Sequence, residues 1–255
     1  MARLQRKREC HVHGTRVLVY KNTSDLFKDA ANELFETLRK KPDANIGLAT
    51  GATFLPFYKY VSSKYKIART SFSKANTFNL DEYVGLERSD MHSYFTYMRT
   101  NLFSKIDIDQ KNANVPDGSS KDPKAEASSY ESKIARLGGI DLQYLGIGQN
   151  GHIGFNEPGT PFGSKTHVVR LSASTIRQNS KYFGNGKMPR SAITMGIKTI
   201  NSANKIVVIA VGKAKASIVK KALTCKPNKK IPASSLKRNA NVTFMLDNKS
   251  ASLLK

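Results

Sequence analysis

Short, nearly continuous apolar runs alternate along this chain with longer stretches in which apolar residues recur every three or four positions. The short runs at 16–20, 45–49, 76–80, 141–146, 167–171, 193–196, 205–211 and 242–246 predict strands, and most carry too little polar alternation to leave one face in water. The longer stretches at 24–40, 54–65, 91–105, 124–137, 174–183 and 213–224 predict helices. In the first of them Leu26, Ala30, Leu34 and Leu38 form one stripe, Thr23 and Ser24 supply a cap signal, and Pro42 closes it. Strands alternating with helices predict an α/β fold: a single-domain, Rossmann-like, doubly wound, mostly parallel sheet with helices on both faces. The polar stretch 109–122 reads as a surface loop, and residues 1–13 as a basic disordered tail ahead of one domain at 14–255.

Charge changes the picture in one respect. The chain has 255 residues with 42 Lys and Arg against 19 Asp and Glu, a net charge of +23. Such a surplus suits either nucleic acid or small acidic substrates. The basic residues are scattered through every segment with no zinc-finger or ribonucleoprotein signature, which argues against nucleic acid as the partner. No run approaches the ~20 apolar residues that cross a bilayer. The basic start lacks the apolar core of a secretory signal, and the two cysteines, Cys10 and Cys225, make no disulfide framework, so a cytoplasmic setting is expected.

In parallel sheets ligands gather beyond the carboxyl ends of strands, so the residues leaving each run carry the information. After 45–49, Thr50-Gly51-Ala52-Thr53 leads into a helix: either a phosphate seat of free N–H groups at the positive end of the dipole, or an ordinary turn capped by a threonine. After 76–80 come Asp81 and Glu82; one can face a pocket as a general base, or both can be a polar strand end. After 141–146, Gly148, Gly151 and Gly154 frame His152 and, five residues later, Glu157. That spacing offers an acid-base pair, the alternative being a structural histidine with both nitrogens satisfied. No metal is expected, because no second histidine stands at ligand spacing. Beyond 205–211, Lys213 and Lys215 lie at a helix amino end, where cations are unfavourable unless an anion is bound; two solvated lysines are the other reading.

Taken together, Phe78-Asn79-Leu80-Asp81-Glu82-Tyr83-Val84-Gly85 and the segment from Gly146 through Gln149, Asn150, Gly151, His152, Phe155, Asn156 and Glu157 to Pro158 resemble the glucosamine-6-phosphate deaminase and isomerase family of sugar-phosphate enzymes. The resemblance runs from about Thr15 to the carboxyl end. It implies conversion of glucosamine 6-phosphate and water to fructose 6-phosphate and ammonia, with no cofactor and a phosphorylated amino sugar as partner. By the same resemblance His152 opens the ring, tuned by Glu157 and Asn150; Asp81 takes the C2 proton; and Thr50, Gly51, Ala52, Thr53, Lys181 and Lys215 bind phosphate, with Glu82 a neighbour of open role. The chain departs from the family pattern at Lys181, where arginine is usual and a two-pronged grip is lost, and at Ala52 and Phe54 in the phosphate turn. His167 and Val169 stand where regulated members carry further basic residues. The sequence is compatible with a homo-oligomer. The alternatives are a lactonase of the 6-phosphogluconolactonase kind and a non-catalytic protein that binds sugar phosphate or nucleic acid.

Overall fold

A computed structural model describes residues 7–184 and 188–254. Two strands open the described chain, β1 (Lys7–Val12) and β2 (Thr15–Tyr20), joined through His13 and Gly14 at φ 47° and 81°. Positive φ at both turn residues matches the twist of the paired strands. There follow α1 (Thr23–Lys40), β3 (Asn45–Leu48), α2 (Leu55–Lys64), β4 (Asn76–Asn79), β5 (Asp81–Tyr83), α3 (Tyr94–Asn101), β6 (Ala113–Asn114), α4 (Pro123–Arg136) and β7 (Leu142–Leu145). The remainder comprises β8 (His167–Arg170), α5 (Ala173–Asn179), β9 (Ser191–Thr194), α6 (Ile197–Asn201), β10 (Lys205–Ala210), α7 (Ala216–Thr224) and β11 (Val242–Asp247).

Eight strands form one sheet in the order β1-β2-β11-β10-β7-β3-β4-β6, and every pairing except β1 with β2 is parallel. From β3 the chain winds outward through β4 to β6, then returns to β7 and winds the other way through β10 to β11. The reversal lies between β3 and β7, which is where a crevice opens in sheets of this kind. Both faces are covered. On one, Tyr144 of β7 donates its hydroxyl to Ala30 O of α1 at 2.7 Å and packs on Phe57 of α2 with ring centroids 4.8 Å apart. On the other, Phe78 of β4 meets Tyr130 of α4 edge to face at 5.8 Å. Helix α4 shows why the ends fall where they do: Asp122 accepts the N–H groups of Lys124 and Ala125, each at 3.0 Å, and Pro123 occupies a position that needs no N–H.

Three expectations from sequence need correction. Strands β8 and β9 leave the parallel sheet for a separate three-stranded antiparallel sheet, β5-β9-β8, in which β9 pairs with β5 on one side and with β8 on the other. For β8 the reason is visible in burial, since it is half-buried or exposed throughout whereas β3, β7 and β11 are fully buried; β9, buried over three of its four residues, is the centre of the small sheet. The disordered tail gives way at Lys7–Val12 to an edge strand, held by the register of β2 and by Arg16 Nε to Glu9 Oε1 at 2.7 Å; residues 1–6 lie outside the described residues. The polar loop 109–122 contributes β6, and Gly118 packs so closely under Tyr83 that a Cβ there would come within 2.2 Å of the Tyr83 carbonyl oxygen. Smaller differences concern caps. The residue ahead of α1 is Asn22, whose side chain makes no capping bond, so the Thr23/Ser24 signal marks the start without supplying the mechanism.

Candidate active site

Four turns leave the carboxyl ends of β3, β4, β7 and β10, and together they line one cavity of about 190 Å³. The first begins at Gly51, whose φ of 98° is a conformation only glycine adopts freely, and continues as a 3-10 turn over Ala52–Phe54 before α2. Gly51 O accepts Phe54 N–H at 3.0 Å and the Tyr97 hydroxyl at 2.8 Å. The amino end of the turn thereby faces the cavity, with Thr50, Gly51 and Thr53 in its lining.

The second turn divides two adjacent carboxylates by the alternation of a strand. Asp81, 6% exposed, lines the cavity, and among the described residues no donor reaches its carboxylate. Burial, reinforced by the charge of Glu82, pushes its pKa up to about 8. Glu82 points away from the cavity and accepts the N–H groups of Tyr83, Tyr94 and Phe95, each at 2.9 Å. Its pKa is raised to about 7 by burial, against the pull of those three bonds. Of the pair, Glu82 ionises first, because only its charged form has donors.

The third turn places His152 over Gly148, where any Cβ would stand 2.2–2.4 Å from the imidazole. Asn150 accepts His152 N–H at 3.1 Å and donates to Glu157 Oε2 at 2.8 Å, so one side chain sets both partners. Glu157 Oε2 stands 3.8 Å from His152 Nδ1, beyond hydrogen-bond reach, so that among the described residues the buried Nδ1 has the carboxylate as a charge neighbour but no hydrogen-bond partner. Glu157 Oε1 accepts hydroxyls from Ser172, at 2.9 Å, and from Thr175. Burial lowers the His152 pKa, Lys215 lowers it further, and Glu157 opposes both; the imidazole is therefore neutral near pH 7.

The fourth turn starts at Gly212, with φ 94°, and carries Lys215 into the cavity wall. Its ammonium donates to Ile147 O at 2.7 Å, and burial lowers its pKa. Asp81, His152, Lys215, Thr50, Gly51 and Thr53 are thus brought together. Glu82, Asn150 and Glu157 stand behind that lining, and Ala52 is exposed outside it. Lys181 is exposed, its ammonium 5.0 Å from the centroid of the Tyr182 ring, and does not line the cavity.

Over residues 21–245 the sequence matches the family described as glucosamine-6-phosphate isomerases/6-phosphogluconolactonase. A Clostridium botulinum (strain Langeland) protein named glucosamine-6-phosphate deaminase is 46% identical over 241 residues, 94% of this chain and 99% of that one. The chain belongs to this family. A solved structure described as a monomeric glucosamine-6-phosphate deaminase superposes with a TM-score of 0.90 at 41% identity, over 93% of this chain and 99% of that chain. A 6-phosphogluconolactonase from Trypanosoma cruzi superposes with a TM-score of 0.76 at 19% identity, covering 97% and 99% of the two chains, a likeness of fold alone.

Three polar cavity side chains of this family member escaped the sequence reading: Tyr94, Thr175 and Asn179. Tyr94 donates its hydroxyl to Tyr83 Oη at 3.2 Å, and Asn179 Nδ2 donates to the same oxygen at 3.0 Å. A signal was available for one of them. Ser172 and Thr175 have the spacing of a helix cap, and Ser172 Oγ does accept Thr175 N–H at 3.1 Å. Nothing local marks Tyr94 or Asn179, since each reaches the cavity only through the docking of α3 and α5.

Proposed function

We propose that this chain is a glucosamine-6-phosphate deaminase, taking glucosamine 6-phosphate and water to fructose 6-phosphate and ammonia. The observation that carries the reading is that the Asp81 carboxylate and the His152 imidazole share one cavity with the Thr50–Thr53 turn and the Lys215 ammonium. The phosphate goes to the free amides of that turn, at the positive end of α2, with Lys215 as counter-charge.

The chemistry divides between the two remaining groups. A neutral His152 takes the proton of the sugar's O1 hydroxyl on Nε2 and returns it to the ring oxygen, which opens the ring; Glu157 holds the transient imidazolium. Asp81 then takes the C2 proton. The C2–H electrons form the C1–C2 double bond while the C1 carbonyl π electrons pass to O1, which takes a proton from the substrate ammonium, giving an enolamine; a proton returned to C1, with the nitrogen lone pair closing on C2, leaves an iminium at C2. Water adds there, and ammonia leaves as the C2 ketone forms. A base raised to about 8 is strong enough for a carbon acid, and the substrate's own ammonium favours its ionised form on binding.

Free thiols at Cys10 and Cys225 suit the cytoplasmic setting that goes with this reading. Among the described residues no helix is long and apolar enough to cross a membrane. The test is ammonia release from glucosamine 6-phosphate run beside hydrolysis of 6-phosphogluconolactone. The reading requires the first and fails if only the second is found. Sedimentation of the same preparation decides between a monomer and a homo-oligomer.

A further inference from the structure

Helix α3 touches both halves of the site. Its first turn is tied to the strand bearing Asp81 by the Glu82 carboxylate, where Oε1 accepts Tyr83 N–H and Tyr94 N–H and Oε2 accepts Phe95 N–H. Glu82 is 2% exposed, so no water competes for those bonds. The same helix presents two tyrosines one turn apart to the anion turn. Tyr94 faces the Thr50 hydroxyl, and Tyr97 donates to Gly51 O at 2.8 Å. Gly51, at φ 98°, is the residue whose conformation turns the following amides toward the cavity, and having no side chain it is held only through its backbone. The Gly51 carbonyl is fixed from within the turn by Phe54 N–H at 3.0 Å, and the Tyr97 hydroxyl is the clamp that reaches it from α3.

We propose that Glu82 is a positioning residue that acts on phosphate binding through α3, with Tyr97 as the element that hands its hold to the anion turn. The proposal rests on the reading of the Thr50–Thr53 turn as the phosphate seat. A carboxylate is needed at position 82 because both of its oxygens accept. In Glu82→Gln one of them becomes an amide that donates toward an N–H donor, so at least one bond to α3 is lost. Tyr97→Phe removes only the clamp and keeps the ring that packs edge to face on Tyr58 at 6.3 Å.

The experiment measures the Kd of inorganic phosphate by calorimetry for the unaltered protein, Glu82→Gln, Tyr97→Phe and the double variant, with KM and kcat for glucosamine 6-phosphate alongside. Loss of one hydrogen bond weakens binding by about two- to tenfold. Each single variant is expected to raise Kd in that range and to raise KM more than it lowers kcat. The double variant is expected to bind no more weakly than the weaker single, because both act through one helix. Unchanged Kd in Tyr97→Phe, or effects of the two variants that multiply, overturns the proposal. So does an unaltered protein that binds no phosphate. Ammonia release is not needed for the binding series, so a protein that fails to deaminate yet shows the expected Kd pattern sinks the enzyme reading and leaves this one standing.

Discussion

The His152 ring occupies the space that a side chain on Gly148 would take: a Cβ there would lie 2.2 Å from Cε1 and 2.3 Å from Nε2. Neither atom can yield without moving the imidazole out of reach of Glu157. Gly148→Ala is expected to lower kcat by about 10²-fold or more, the range that a positioned acid-base group contributes, while leaving phosphate Kd nearly unchanged. Steady-state kinetics with calorimetry on the variant checks this, and an unchanged kcat contradicts the placement of His152.

The raised pKa of Asp81 makes two quantities depend on pH. Catalysis needs the carboxylate, so kcat/KM is expected to fall as pH drops below about 8, the value set by burial and by Glu82. A flat profile across that region contradicts Asp81 as base. Stability moves the opposite way. The unfolded carboxyl titrates near its ordinary 3.8 and the folded one near 8, so between those values the folded chain holds a proton that the unfolded chain has released. Folding stability from this group therefore decreases as pH rises through that window. Asp81→Asn, which cannot ionise, is expected to gain Tm relative to the unaltered protein as pH rises from 4 to 8. A gain on the order of 1 kcal/mol corresponds to about 2–4 °C.

The two lysines offered by sequence as phosphate ligands are separated by the structure. Lys215 reaches the cavity wall and Lys181 is exposed beside Tyr182. Lys215→Met is expected to raise KM by about tenfold or more, as loss of a charge-assisted contact does, and Lys181→Met by less. Initial-rate measurements on the two variants check the order, and a larger effect at position 181 reverses the assignment.

How much of this was legible in the sequence follows from where the information lies. Strands β3, β7 and β10 could be read because each is a short, mostly apolar run, β4 from Phe78 and Leu80 alone, and the cavity turns because they leave those strands directly. Asp81 could be separated from Glu82 only in principle, by strand alternation; which of them faces the cavity depends on the docking of α3, whose N–H groups take up Glu82. The edge strand Lys7–Val12 was missed because charge dominates its composition, and its order comes from pairing with β2. Strands β8 and β9 look like buried parallel strands one at a time, yet they pair with each other, and the further partner of β9, β5, is three residues long and carries two acids, a pattern no periodicity reveals. Lys181 entered through the family resemblance, whereas Asn179, two residues earlier, is the side chain that lines the cavity.

The central claim is that Asp81 removes the proton from C2. Ammonia release from glucosamine 6-phosphate carrying deuterium at C2 tests it most directly, with the unaltered protein beside a folded Asp81→Asn. The account predicts slower turnover of the deuterated sugar by the unaltered protein and a loss of about 10²–10⁴-fold in the variant. Undiminished ammonia release by Asp81→Asn would contradict it.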